Sequence, residues 1–80
     1  MATKPDKLTT VTEFKREVRR QVSDRFGLSI RSWEWAKKGA FPTGVPCITG
    51  EGVLSDGQKF LAVYSAPRDS RHTLDVRPIS

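Results

Sequence analysis

The residues best suited to nucleophilic or acid–base chemistry are few, because the chain has one cysteine, Cys47, and one histidine, His72. A structural zinc site needs about four ligands, so metal binding is not expected. His72 could act as a general base with Asp69 or Asp75, but no ordered Ser/His/Asp set and no glycine-rich phosphate loop accompanies it. We therefore predict that the protein is not an enzyme and uses no cofactor.

Charge is the stronger signal in this sequence. Fourteen lysines and arginines against nine acidic residues give a net charge of +5, which favours an anionic partner. No apolar run approaches the roughly 18 residues of a membrane span, and the polar N-terminus does not resemble a signal peptide. A single free thiol fits a reducing compartment. These features predict a cytoplasmic protein that does not enter a membrane.

Eighty residues leave room for one domain, which we expect over residues 9–80 after a disordered tail at 1–8. Residues 10–26 predict an amphipathic helix, opened by a capping box from Thr10 to Glu13 and closed by Gly27. Its apolar stripe follows spacings of three and four: Val11, Phe14, Val18, Val22 and Phe26.

Residues 30–38 follow a possible cap at Ser29 and end in two lysines and Gly39, which predicts a short second helix. The remainder predicts a three-stranded antiparallel meander over about 46–54, 59–65 and 72–77. Asp56-Gly57 is the two-residue hairpin loop, and Pro78 ends the last strand. The predicted fold class is α+β, with two helices and three strands.

The middle strand is apolar on both faces, with Phe60, Ala62 and Tyr64 on one and Leu61 and Val63 on the other. A two-residue loop would place the bare glycines 50 and 52 on the Leu61/Val63 face, which favours packing the long helix there. Whatever apolar sheet surface stays uncovered predicts an interface with another chain or a ligand.

Residues 19–38 match the spacing of a known DNA-binding motif. Ser23 and Gly27 occupy the positions that require small residues, and the apolar positions hold Val22, Phe26, Leu28, Trp33 and Ala36. The segment resembles helix-turn-helix DNA-binding proteins, with a following hairpin that could serve as a wing. The resemblance covers about 20 of the 80 residues and implies that a second helix enters the major groove.

That resemblance implies DNA contacts for a defined set of residues. Bases would be contacted by Ser29, Ile30, Arg31, Ser32 and Trp35, and phosphates by Lys37 and Lys38. Against it, the apolar stripe runs unbroken from Val11 to Phe26, which a single long helix explains more simply.

The basic residues of the first helix allow a second mode of binding. Arg16, Arg19 and Arg20 share much of its surface, and exposed Phe60 and Tyr64 could stack on the bases of a single strand. Alternatively, these arginines pair with Glu13 and Glu17 at helical spacings. Trp33 and Trp35 are two positions apart, so on a helix only one could point inward, and the other is expected at a surface.

Two functions follow from these patterns. The first is a small non-enzymatic nucleic-acid-binding protein, with duplex DNA as the first choice of ligand and a homodimer as one possible state. The second is an interaction module or inhibitor that docks on an acidic surface of a larger enzyme or machine, including one encoded by a mobile element or virus. The binding residues predicted for either are Arg16, Arg19, Arg20, Arg31, Trp35, Lys37, Lys38, Phe60 and Tyr64.

Overall fold

One helix lies across one face of a four-stranded antiparallel sheet in the computed structural model, which describes residues 8, 10–67 and 71–79. The elements follow in the order α1 (Val11–Phe26), β1 (Ile30–Ala40), β2 (Pro46–Leu54), β3 (Lys59–Ser65) and β4 (Thr73–Ile79). The strands form a meander in which each pairs with the next along the chain. Of the predicted tail, residues 1–7 lie outside the described residues, while Leu8 packs against the core.

The helix begins and ends where its capping residues require. The Thr10 hydroxyl accepts a hydrogen bond from the Glu13 N–H at 3.1 Å, and the Glu13 carboxylate accepts from the Thr10 N–H at 3.1 Å. Gly27 takes the left-handed conformation with φ of 66° and donates to the Ser23 carbonyl. The apolar stripe turns Phe14, Val18 and Val22 fully into the core.

The predicted second helix is wrong, because residues 30–38 form most of strand β1. The helix-turn-helix resemblance fails with it, since the described chain has one helix and no recognition helix. Ile30, Trp33 and Trp35 are β-branched or aromatic and fit a pleated, half-buried surface better than a short helix. Irregularities in the β1–β2 register between Ile30 and Ser32, and between Trp33 and Trp35, mask the alternation that would have indicated a strand.

The predicted hairpin register is also wrong, by one residue. Leu54 N–H donates to the Gln58 carbonyl at 2.8 Å, so the loop has three residues, 55–57, and Gly57 adopts φ of 93°. This is the three-residue hairpin in which a left-handed glycine follows a tight turn. The shift pairs Gly52 with Phe60 rather than with Leu61.

The core therefore lies on the opposite sheet face from the one expected. The helix covers the face that carries Phe60, Ala62 and Tyr64, and the Leu61/Val63 face is left without it. Phe60 is 0% and Tyr64 is 1% exposed, so the prediction of an exposed stacking platform at these two residues is wrong. The buried set is Phe14, Val18, Val22, Ile48, Leu54, Phe60, Ala62, Tyr64 and Val76.

Two glycines allow Trp33 to reach this core. A side chain at Gly50 would meet the Trp33 ring at 2.7 Å and the Phe14 ring at 3.1 Å, and one at Gly52 would meet the Ser32 carbonyl oxygen and the Phe60 ring. The Trp33 indole instead lies against Phe14 and Phe60, with ring centroids 5.9 and 5.2 Å away. The absence of side chains at Gly50 and Gly52 thus allows the edge strand β1 to pack against the core through Trp33.

Candidate binding surfaces

The sheet face turned away from α1 is covered by no other element of the described chain, and we call it the open face. The strand registers arrange its side chains in four rows across the sheet. Each row is given in the order β1 to β4. One central row is Lys37, Thr49, Val63 and Asp75, and the other is Trp35, Glu51, Leu61 and Arg77. The outer row beside the first is Gly39, Cys47, Ser65 and Thr73, and the outer row beside the second is Ser32, Val53, Lys59 and Ile79. Leu61 and Val63 form an apolar patch at the centre on β3, beside Thr49 and Glu51 on β2, and the other charged groups lie toward the margins.

Trp35 is the most prominent aromatic group on the open face and is 39% exposed. Its Nε1 donates a hydrogen bond to Glu51 Oε1 at 2.8 Å, and Lys37 Nζ lies 5.7 Å from its ring centroid. Both contacts come from side chains of the same face, so the indole is held in place before any partner arrives. A pre-positioned exposed tryptophan is a favoured anchor for binding.

The charges of the open face balance one another. Lys59 pairs with Glu34 at 3.7 Å across β2, and Arg77 pairs with Asp75 at 2.8 Å along β4. With Lys37 and Glu51, the face carries three cations and three carboxylates. A neutral face with an apolar centre offers no net attraction to a polyanion.

The helix, in contrast, separates its charges between two flanks. Lys15 Nζ lies 5.6 Å from the centroid of Trp33 on β1, and Gln21 Nε2 donates to the Leu74 carbonyl of β4 at 3.4 Å, which fixes the flank that borders each edge strand. At 100° per residue, Arg19 follows Lys15 on the β1 side, and Arg16 faces solvent beside it. The acidic residues of α1 fall on the β4 side: Glu13, Glu17 and Asp24.

Arg20 lies among those carboxylates, although it is also one helical turn from Arg16. Its guanidinium donates to Glu17 at 2.7 and 3.0 Å and to Asp24 at 3.2 Å. The hydrogen bond with Arg20 holds the pKa of Glu17 below its ordinary value, and the same bond raises the pKa of Arg20. By comparison, neither Arg16 nor Arg19 forms an ion pair or hydrogen bond within the described part of the chain.

Strand β1 continues the positive charge of the helix. Arg31 donates to the Ser55 carbonyl at 3.2 Å at one end of the strand, and Lys37 and Lys38 lie toward the other. We define the basic flank as Lys15, Arg16 and Arg19 of α1 together with Arg31, Lys37 and Lys38 of β1. Its one carboxylate within the described residues is Glu34, which is paired with Lys59.

A cleft at the end of β1 that carries Lys38 brings this residue near Cys47 and His72, the one cysteine and the one histidine of the chain. It is lined in part by Lys38, Cys47, Tyr64 and His72. Tyr64 Oη lies 2.8 Å from His72 Nδ1 and accepts a hydrogen bond from the Leu8 N–H at 3.0 Å. The Tyr64 hydroxyl thus connects strand β3 to Leu8, before the helix, and to His72, before strand β4. These contacts give the Tyr64–His72 pair a structural role.

Comparison with known proteins adds no family to this description. The chain matches no protein-family model, and it shows no significant similarity to a curated protein or to a solved structure. Within the described ranges, no three His, Cys, Asp or Glu side chains come together as a group that could hold a metal ion. No helix in the same ranges is long and apolar enough to cross a membrane.

The structure separates the nine predicted site residues. Six belong to one side of the molecule (Arg16, Arg19, Arg31, Trp35, Lys37 and Lys38), while Arg20 is paired elsewhere and Phe60 and Tyr64 are buried. Sequence reasoning missed the part of the open face formed by Leu61, Val63, Asp75 and Arg77. The available signal was the middle strand, which is apolar on both faces although the sequence offers only one long amphipathic helix to cover it.

Proposed function

We propose that this chain is a small non-enzymatic protein that binds nucleic acid through its basic flank. The observation that carries the proposal is the separation of charge on α1, where the carboxylates of the β4 side engage Arg20, while Lys15 and Arg19 lie on the β1 side and Arg16 faces solvent. Arginines without an internal carboxylate partner are free to release counterions from a phosphate backbone, which is the main source of affinity for nucleic acid.

The proposed contact reads phosphates rather than bases. The second helix expected to enter the major groove is absent from the described chain, since residues 30–38 form a strand. Lysines and arginines that contact phosphates supply affinity that does not depend on sequence. Duplex DNA is the first ligand to test because its density of phosphate charge is high.

The decisive experiment compares arginines on the two sides of α1. Binding of a fluorescent DNA duplex is measured by anisotropy at several salt concentrations. The double substitution Arg16→Ala/Arg19→Ala should weaken binding at low salt about tenfold or more and lower the slope of log K against log salt by about 2.

Arg20→Ala is the matched control, because it removes the same side chain from the same helix. Arg20 is already paired with Glu17 and Asp24, so its loss should change the slope by well under the ~1 expected for each arginine that contacts phosphate. The proposal fails if the wild-type protein does not bind duplex DNA at low salt, or if Arg20→Ala lowers the slope by as much per arginine as the double substitution.

A second candidate function is docking on an acidic protein surface, favoured by the fixed and exposed indole of Trp35. In that case Trp35→Ala should abolish the contact, while Arg16→Ala/Arg19→Ala should only weaken it. Nucleic-acid binding predicts the reverse order of effects. For either function we propose the cytoplasm as the compartment, supported by the free thiol of Cys47.

A further inference from the structure

The two central rows of the open face have an arrangement that fits a copy of itself. In one row Lys37, Thr49, Val63 and Asp75 follow one another across the four strands, and in the next Trp35, Glu51, Leu61 and Arg77 stand beside them. At each strand, the residue of one row complements the residue of the other. The pairs are a cation with an aromatic ring, a hydroxyl with a carboxylate, two aliphatic groups and a carboxylate with a guanidinium.

We propose that two copies of this chain associate through their open faces about a two-fold axis that crosses the strands between these rows. Such an axis lies in the interface and places each strand over the same strand of the second copy, running in the opposite direction. Two sheets with aligned strands pack face to face in this way in β-sandwiches. The symmetry makes the contact self-complementary, as an isologous dimer requires.

The axis exchanges the two rows, and the resulting contacts are favourable at all four strands. Val63 of one copy lies over Leu61 of the other, so the apolar centres meet. At the β4 margin Asp75 lies over Arg77, and at the β1 margin Lys37 lies over Trp35, each twice by symmetry. Thr49 lies over Glu51, where its hydroxyl can donate to the carboxylate.

The charge balance of the open face selects a second copy over a polyanion. Three cations and three carboxylates leave no net field to attract phosphates, whereas opposite charges in facing rows steer two identical faces together. Lys37 belongs to both surfaces, but the rest of the basic flank lies outside this contact, on the helix layer and the outer side of β1. Nucleic-acid binding and self-association are therefore separable.

The size of the face sets the expected strength. Four strands at ~4.8 Å spacing and four rows at ~6.6 Å give a face of about 500 Å² per copy, or roughly 1,000 Å² in the pair. This is at the lower limit for specific interfaces, so we expect a weak dimer with a Kd in the micromolar range or above. The dimer should form and dissociate within a concentration range that sedimentation can cover.

The test is a charge swap on β4, followed by sedimentation velocity from about 1 to 500 µM of the full chain, a range that brackets a weak interface. Asp75→Arg places two arginines over each other in the dimer, and Arg77→Asp places two carboxylates there. Each single variant should raise the Kd at least tenfold. The double variant Asp75→Arg/Arg77→Asp restores opposite charges in facing rows and should return the Kd to within about threefold of the wild type.

A second pair of variants tests the apolar centre. Val63→Lys should leave the protein monomeric across the whole range, since it places a charge over Leu61 of the second copy. Phe26→Lys is the matched control, because Phe26 is an exposed apolar residue of the helix, 37% exposed and outside the open face. Circular dichroism verifies that each variant is folded.

The proposal is overturned if the wild-type chain sediments as a monomer at every concentration. It is equally overturned if the swapped double variant associates no better than the single variants, because the contact would then not depend on the facing rows. Neither result bears on the basic flank, whose test uses Arg16 and Arg19 at concentrations well below the expected Kd.

Discussion

At the scale of single residues, the closest constraint is at Gly52, where an added Cβ would meet the backbone carbonyl of Ser32. A carbonyl held in a sheet cannot move aside as a flexible side chain can. Gly52→Ala should therefore destabilise the fold by about 1–3 kcal/mol, as overpacking typically does. Gly39→Ala is the control, since nothing lies within 4 Å of its added Cβ. Urea denaturation compares the two, and equal stabilities would contradict the close approach of β1 to β2.

The Glu17–Arg20 pair gives a pH-dependent prediction at the same scale. Glu17 has a pKa below its ordinary value of 4.5, so its stabilising contribution is present above that value and is lost as the pH falls through the lower folded-state pKa. Glu17→Gln should cost less than about 1 kcal/mol near neutral pH, because Arg20 is half-exposed and water screens the pair.

Below the folded-state pKa of Glu17, that variant and the wild type should have the same free energy of unfolding. Arg20→Met provides the matched test, since it removes the other partner, and when combined with Glu17→Gln it should add only the small contribution of the Arg20–Asp24 pair. A stability difference that persists undiminished at pH 2 would show that Glu17 acts through packing instead.

At the scale of elements, the sequence predicted the helix and the three strands whose boundaries are set by local signals such as caps and turn residues. The capping box and Gly27 bound α1, and strands β2, β3 and β4 lie within two residues of their expected positions. Strand β1 could not be predicted in the same way. Two register irregularities break its alternation, and Ser29 before the strand and Gly39 near its end mimic helix boundaries. Residues 30–40 form a strand because they pair with β2 and because Gly50 and Gly52 leave room for Trp33. Both interactions are with residues distant in the sequence.

The register error belongs to this scale too. The interpretation of the bare glycines as a helix-packing surface was physically sound, since Gly50 and Gly52 do lie on the face that α1 covers. The Asp56-Gly57 pair suits both a two-residue and a three-residue loop, and the choice between them exchanges the two faces of β3. The open face was therefore foreseen as an uncovered apolar surface but assigned to the wrong residues.

The loop also yields a prediction for the hairpin. Gly57 adopts φ of 93°, which a side chain disfavours, although nothing lies within 4 Å of an added Cβ. Gly57→Ala should cost about 1–2 kcal/mol through backbone strain alone. Gly57→Asn should cost less, because asparagine tolerates the left-handed region. Thermal denaturation ranks the two variants, and the opposite order would exclude the assigned loop conformation.

At the scale of the whole molecule, two layers give two distinct surfaces. The helix layer separates its charges, and the sheet layer balances them. A dimer through the open faces would leave both helices on the outside, with Lys15, Arg16 and Arg19 accessible. The two proposals are thus compatible in one assembly, in which the open faces associate and the basic residues of the helices face the ligand.

Packing the first element against the last strands has a kinetic consequence. Leu8 reaches Tyr64 across 56 positions, and Gln21 reaches Leu74 across 53. Forming these contacts requires closing long loops, which carries an entropic cost and favours slow folding. Until the four strands have paired, α1 has no sheet to pack against. Its apolar side, formed by Phe14, Val18 and Val22, is then exposed in a nascent or refolding chain and accessible to chaperones.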